Sequence, residues 1–385
     1  MHIALCGPLD TSAFRELTGL GVSGAPSGLG GMPTTDLAAT LLSKGHKVSI
    51  ATTDPTIDAP VTIIEGDCKI VYCPMRGEPR YRARVRAGDL FAKEIDFLTT
   101  ALGGFDADIV HAHWTYEFAE AAVRSRLPHV VTMHDLGWDY FLQFRDAYRF
   151  MRLVMKYRVM PRVRTLAVVS PFMAPKAWTY GYLGVVDVIP NGVAVPAAQE
   201  SRRRDLEKPV FVTIGSPERI KNVRASLAAF QIIRAARPDA QLHLFGPGLD
   251  AAYVGDAPGI IGHGHTPHAE LMAFLETEAT VLIHPSRLET FGVIIAEAKA
   301  RQVPVVAGHR SGGVSYVCDD GVSALVDIDD PQAIAEAAIG LISDPDWYTR
   351  AANRSREDII TRFSSEAVAD AYLGLYERVL SSVRA

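Results

Sequence analysis

Apolar residues along the chain fall into short runs, separated by stretches in which apolar positions recur every three or four residues. The runs His2–Cys6, Val48–Thr52, Lys69–Tyr72, Asp108–His111, His129–Met133, Leu166–Val169 and Val185–Ile189 are bounded by turn-forming residues, so each reads as a buried strand. Helical patterns lie between them. Thr34–Lys44 is opened by Pro33 and closed by Gly45, and Asp89–Leu102 follows later. A second series, Phe211–Ile214, Gln241–Phe245, Ile260–Ile261, Val281–Ile283, Val305–Val306 and Ala324–Val326, repeats the alternation. Strands alternating with helices predict an α/β chain of two Rossmann-like, doubly wound parallel-sheet domains. The polar, proline-bracketed stretch 196–209 separates the two series and reads as a linker, which gives domains over residues 1–195 and 210–363. The tail 364–385 reads as an amphipathic helix that packs back toward the first domain, with Val368, Tyr372, Leu375, Tyr376 and Val379 on one stripe.

Within the second series, Val281–Ala307 reads as strand, loop, helix, strand. Two carboxylates mark it, Glu289 before the helix and Glu297 inside it. Eight helical residues at ~1.5 Å each would place them roughly 12 Å apart along the axis and about 80° apart around it. The two carboxyls of a glycoside hydrolase lie about 5 to 9.5 Å apart, so hydrolysis by this pair fits poorly. The spacing suits two ends of one elongated polyhydroxyl ligand. Between the glutamates, the amides of Thr290, Phe291 and Gly292 would open a helix N-terminus that favours an anionic or polar guest. The place supports this reading, because open α/β sheets bind ligands beyond the carboxyl ends of their strands.

Composition narrows the choices. The chain has 385 residues, 48% of them apolar and 22% charged, and a net charge of −5, which argues against nucleic acid as a partner. Four cysteines without metal-like spacing suit a reducing, cytoplasmic setting, and no apolar run has the length of a membrane span. Gly19 to Gly24 matches GxGxxG, but the match does not turn directly from strand into helix, so a dinucleotide site is not expected there. Gly28-Leu29-Gly30-Gly31 is the better turn, and Gly30 and Gly31 would let a ligand approach the backbone closely. The histidines at 263, 265 and 268 lack an accompanying carboxylate or cysteine at firm spacing, so no metal is assigned. Residues 145–164 hold seven basic side chains and one acidic, interleaved with apolar ones. That pattern fits either a solvated helix face or peripheral contact with an anionic membrane surface. Arg76, Arg80, Arg82, Arg84 and Arg86 form a second basic run, suited to an acidic or phosphorylated acceptor.

The chain resembles the retaining glycosyltransferases of family 4, which have the GT-B fold. The resemblance rests on Pro285-Ser286-x-x-Glu289-x-Phe291-Gly292 followed by Glu297, a Glu-x7-Glu motif. It also rests on Gly30-Gly31, residues 108–113, residues 131–135, residues 189–193, Gly312-Gly313 and Tyr372-x3-Tyr376, in that order. It implies a sugar nucleotide co-substrate, a UDP- or GDP-sugar, held mainly by the second domain, and no other cofactor. It implies a glycan, lipid-linked or small-molecule acceptor held mainly by the first domain, with reaction in the crevice between them. By position, Glu289 would meet the donor sugar, Glu297 the ribose, Gly264 or His265 the base, and His113 the sugar from the first domain. Lys221 would hold the diphosphate. Where the family shows an arginine after the glycine of its second-domain first strand, Ser216 follows Gly215, and Arg219 is the nearest substitute. The loss of a bidentate phosphate ligand keeps open a catalytically silent protein that binds glycans or partners an active transferase. The resemblance further implies a cytoplasmic enzyme, peripheral at the inner membrane face if residues 145–164 touch lipid.

Overall fold

The computed structural model describes residues 1–21, 24–76, 88–197 and 204–384. The chain divides into two compact units, Met1–Gly192 with Ser365–Ala385, and Val193–Ser364. The chain passes between units at Gly192/Val193 and again at Ser364/Ser365. The described part of the charged stretch 196–209 therefore lies within the second unit.

The first unit is an eight-stranded sheet of order β3-β4-β2-β1-β5-β6-β7-β8. Its strands are β1 (His2–Cys6), β2 (Lys47–Asp54), β3 (Val61–Glu65), β4 (Cys68–Pro74), β5 (Ile109–His113), β6 (His129–Met133), β7 (Thr165–Val168) and β8 (Val186–Val188). Every pair is parallel except β3 with β4. The edge strand β3 was not expected from the sequence. Its half-buried alternation lacks the continuous apolar run of the interior strands. The helix Thr11–Thr18 was also not foreseen; Gly19 ends it at φ +69°, so the first glycine of the GxGxxG match caps a helix. Val22 and Ser23 of that match lie outside the described residues.

The C-terminal helix Ser365–Arg384 belongs to this first unit. Val368, Ala369, Tyr372, Leu375 and Tyr376 enter the core formed by Ile3, Leu5, Leu37 and Val48. Lys44 bridges Glu366 at 2.7 Å and Asp370 at 2.9 Å, and the Ser365 hydroxyl donates to Asp36 at 2.7 Å. The amphipathic stripe thus has its partner within the first sheet's own layer of helices.

The second unit is an all-parallel six-stranded sheet of order β11-β10-β9-β12-β13-β14. Its strands are β9 (Val210–Ile214), β10 (Gln241–Phe245), β11 (Ile260–Gly264), β12 (Val281–His284), β13 (Val305–Gly308) and β14 (Ala324–Val326). Strand order reverses between β1 and β5 in the first unit and between β9 and β12 in the second. Such switch points open a crevice beyond the carboxyl ends of the strands.

The basic stretch 145–164 folds as the helix Ala147–Val159 and the turn after it. Four of its cations are matched by carboxylates: Arg149 by Asp146, Arg152 by Glu117, Lys156 by Asp135 and Arg162 by Glu120. Arg145, Arg158 and Arg164 stay exposed, with Leu142 and Phe150 exposed nearby in sequence. In the second basic run, Arg76 pairs with Asp89 and Glu94, and Arg80, Arg82, Arg84 and Arg86 lie outside the described residues.

Candidate functional site

In the second unit, β9 and β12 each end in a loop at the switch point, and these loops bring Lys221 to Glu289. Lys221 Nζ donates to Glu289 Oε1 at 2.7 Å, and His284 Nε2 lies 3.2 Å from the same oxygen. Burial alone would raise the Glu289 carboxyl. The His284 hydrogen bond, with the charges of His284 and Lys221, outweighs it and holds the group well below the usual carboxylate range. Glu289 is therefore an ionised, nearly enclosed carboxylate. Nδ1 of His284 is buried with no hydrogen-bond partner among the described residues.

Several backbone contacts fix this cluster. Arg287 N donates to Ile220 O at 2.7 Å, and Arg287 Nη2 to Asn222 Oδ1 at 3.1 Å, which ties the Lys221 loop to the Glu289 loop. Glu289 N donates to Ser311 O at 3.2 Å and Gly313 N to Glu289 O at 2.8 Å, so Gly312-Gly313 backs the glutamate. Arg287 pairs with Asp329 at 2.6 Å, and the Asn222 amide donates to Ile328 O at 3.0 Å, so residues 327–329 form a bracing turn.

The helix of the motif begins at Val293, with Gly292 as its N-cap at φ +97°, a conformation that favours glycine. The expectation that Thr290, Phe291 and Gly292 open the helix is corrected here. Thr290 and Phe291 precede it, and the helix's first amides are those of Val293 and Ile294. The Phe291 ring is buried against Phe363, with centroids 5.5 Å apart, so its side chain anchors the loop. One helical turn on, Glu297 accepts or shares a proton with His268 Nε2 at 2.8 Å. His268 therefore reaches the motif's second glutamate, and the 263–268 histidines separate. His263 stacks on Phe245 at 4.1 Å and contacts His243 at 2.8 Å, while His265 is exposed.

Close backbone packing shapes the mouth. Gly264 O accepts from Gly246 N at 2.8 Å, and a Cβ on Gly246 would lie 1.9 Å from Gly215 O, so the loops after β9, β10 and β11 meet as bare backbone. Ser216 is half-buried beside Gly215, and Arg219 is exposed, with its charge acting on Asp329.

In the first unit, His113 ends β5 and is buried, with Nδ1 2.9 Å from His134 Nε2. Burial drives both rings toward the neutral form, His134 to about 4 and His113 well below its usual value. Nε2 of His113 is buried with no hydrogen-bond partner among the described residues. His111, one turn of pleat earlier, is committed inside the fold: Nδ1 is 2.6 Å from the Tyr376 hydroxyl and Nε2 2.7 Å from Thr132 Oγ1, which also meets the Tyr372 hydroxyl at 2.9 Å. Tyr372 and Tyr376 thus act as anchors. Gly31 N-caps the helix Met32–Ser43 at φ +116°, and a Cβ there would lie 2.7 Å from Pro8 O; Gly30, at φ +75°, faces open space.

His284 is not singled out by the sequence, whereas His134 lies within the 131–135 element on which the resemblance rests. Both stand at strand ends, His284 as the last residue of β12 and His134 directly after β6, a placement that carries a signal once the sheet order is known.

Residues 34–195 match the family model described as Glycosyltransferase Family 4, and residues 195–358 that described as Glycosyl transferases group 1. The alpha-maltose-1-phosphate synthase of Mycolicibacterium smegmatis is 28% identical over 341 residues, covering 78% of this chain and 86% of that one. The sucrose-phosphate synthase of Thermosynechococcus elongatus shares the fold, with a TM-score of 0.77 at 20% identity over 99% of this chain and 100% of that one. An alpha,alpha-trehalose 6-phosphate synthase of Burkholderia multivorans does so with a TM-score of 0.70 at 13% identity, over 100% of this chain and 97% of that one. The two family models together span residues 34–358, and the chain belongs to the glycosyltransferases of the GT-B fold.

Proposed function

We propose that the protein moves a sugar from a nucleoside-diphosphate sugar to a small acceptor, with retention of configuration and without a metal. The observation that carries this reading is the Lys221–Glu289–His284 cluster at the switch point of the second sheet, beside the start of the helix Val293–Ala300. As a nucleoside diphosphate departs, negative charge grows on its phosphates and the anomeric carbon becomes cation-like. Lys221 and the helix amides stabilise the first charge. The ionised Glu289 holds Lys221 in place and presents its remaining oxygen toward sugar hydroxyls or the developing cation. Its role is positioning first and chemical second. Glu297, shared with His268, is placed for the ribose hydroxyls, and the bare backbone at Gly264 with His265 for the base. Ser216 and Arg219 flank the diphosphate position. The sugar phosphates in the names of the relatives support a small-molecule acceptor over a polymer.

One observation favours a second reading, a protein that binds a nucleotide sugar without turnover. Ser216 stands where the family carries an arginine, and Lys221 is already matched by Glu289. A screen of UDP-, GDP- and ADP-sugars for nucleoside diphosphate release, with and without acceptor, separates the two. Release that rises with one donor and disappears in Glu289→Ala supports transfer. Tight nucleotide binding with no release from any donor and acceptor pair supports the silent reading. Peripheral membrane contact, if made, rests on the exposed Arg145 and Arg158, and sedimentation of an Arg145→Ala, Arg158→Ala variant with anionic vesicles measures it.

A further inference from the structure

The first unit contains a second recess, beyond β5 and β6, that the donor chemistry does not use. It is a cavity of about 290 Å³, walled by Trp114, Tyr116, Tyr140, Tyr148, Arg149 and Arg152. From its aromatic walls and paired guanidinium groups we infer that it is an acceptor subsite for a single sugar ring carrying a phosphate group. The inference rests on the transferase reading above and names the acceptor class.

Three features of the recess support that ligand. The first is its size, which falls at the low end of small-molecule pockets and suits one pyranose with a phosphate better than a longer glycan. The second is its walls. A pyranose offers a face of weakly positive C–H groups, and aromatic rings offer a negative π face over a large rigid area. Trp114 is held for this use at a cost: its φ of +69° is a left-handed conformation that strains a bulky residue by about 1–3 kcal/mol. Its amide is nonetheless anchored to Thr132 O at 2.9 Å, directly after β5.

The third feature is charge. The Arg152 guanidinium carbon lies over the Tyr116 ring, 3.8 Å from its centroid, and that of Arg149 lies 4.2 Å over the Phe144 ring, so both forks are held against aromatic faces. Arg149 Nη1 donates to Asp146 at 2.5 Å, and Arg152 Nη1 donates to Glu117. Among the described residues no other nitrogen of either guanidinium bonds a carboxylate, which leaves planar donors that match phosphate oxygens. The one carboxylate on the wall, Asp135, is held by the buried Lys156 at 2.6 Å. A neutral sugar would leave those remaining guanidinium donors without an anionic partner. A phosphorylated one satisfies them while its ring covers the aromatic wall.

Calorimetry without any donor tests this, titrating glucose 1-phosphate, glucose 6-phosphate, glucose and inorganic phosphate into the full chain. One sugar phosphate should bind at least tenfold more tightly than both glucose and inorganic phosphate. Arg149→Gln should remove most of the preference over glucose, and Tyr148→Ala most of the preference over inorganic phosphate. Each variant's far-ultraviolet circular dichroism is checked against the wild type. Sugar phosphates bound no more tightly than glucose, or affinities unmoved in both folded variants, would overturn the assignment. Equal affinity for inorganic phosphate would overturn it too, since the aromatic wall would then contribute nothing. Nucleoside diphosphate binding, titrated separately, reports on the donor reading, so either can fail alone.

Discussion

Each sheet carries a cluster of polar side chains beyond the carboxyl ends of its strands, one held neutral and the other charged. Beyond β5 and β6 the cluster is His111, His113 and His134, driven neutral by burial, with tyrosine and threonine hydroxyls as partners. Beyond β9 and β12 it is Lys221, His284 and Glu289, where a half-buried carboxylate stays ionised because a cation and a histidine meet the same oxygen. The same architecture therefore gives one unit a site built for uncharged hydrogen bonding and the other a site built for charge. That division suits a transfer in which phosphate charge develops on the donor side and a hydroxyl reacts on the acceptor side.

The comparison breaks most readily at Glu289. Glu289→Ala leaves Lys221 and a buried histidine without their acceptor, and turnover should fall by roughly 10³-fold in a nucleoside diphosphate release assay, the scale of removing a preorganised electrostatic group. A fall smaller than tenfold would remove Glu289 from the reacting region.

Lys221→Ala should weaken nucleoside diphosphate binding about 10- to 100-fold, or about 1.4–2.7 kcal/mol, by calorimetry. Unchanged affinity would mean that Lys221 serves Glu289 alone.

On the neutral side, His111→Leu strands the Tyr376 hydroxyl and leaves Thr132 Oγ1 only its contact with Tyr372, at about 1–3 kcal/mol for a buried unmatched group. The expected result is a melting temperature lower by several degrees with nucleotide affinity preserved. Preserved stability would show that the C-terminal helix does not depend on this network.

The smallest effect is a difference in acid sensitivity. His111 and His134 have folded values of about 3 and about 4, below the 6.5 of a free imidazole. On acidification the unfolded chain takes up protons first. The stability these rings contribute is complete above pH 6.5 and is lost as pH falls toward 4, at up to about 1.4 kcal/mol per pH unit per ring. Glu289 is lowered from 4.5, so its contribution persists until pH falls below that value. His243 in the second unit is also lowered, to about 4, so the contrast is one of degree. Hydrogen exchange should show β5 and β6 amides losing protection at higher pH than those of β12, and simultaneous loss would contradict the comparison.

Much of this fold was legible because its signals are local. β1, β6, β10 and β14 appear as short apolar-rich runs that match the observed spans, and the stripe on the C-terminal helix was visible from its period. β3 was not, because a half-exposed edge strand carries no uninterrupted run. The Glu289 and Glu297 motif was legible from its spacing. Its ion pair with Lys221 was not, because 68 residues separate the partners and only the order of β9 beside β12 joins them. The basic stretch 145–164 shows the same limit. Its charges could be counted in sequence, but Glu117, Glu120 and Asp135, which match Arg152, Arg162 and Lys156, come from distant turns.

The sequence by itself therefore determined most of the interior strands, that two similar units follow one another, and which glutamates mark the second switch point. Those depend on periodicity, turn chemistry and spacing within a few residues. Tertiary structure alone decided that Phe291 is an anchor and that His284 joins Lys221 on the Glu289 carboxylate. It also decided the charge state of each cluster, because desolvation and the partners that answer it are properties of the packed interior.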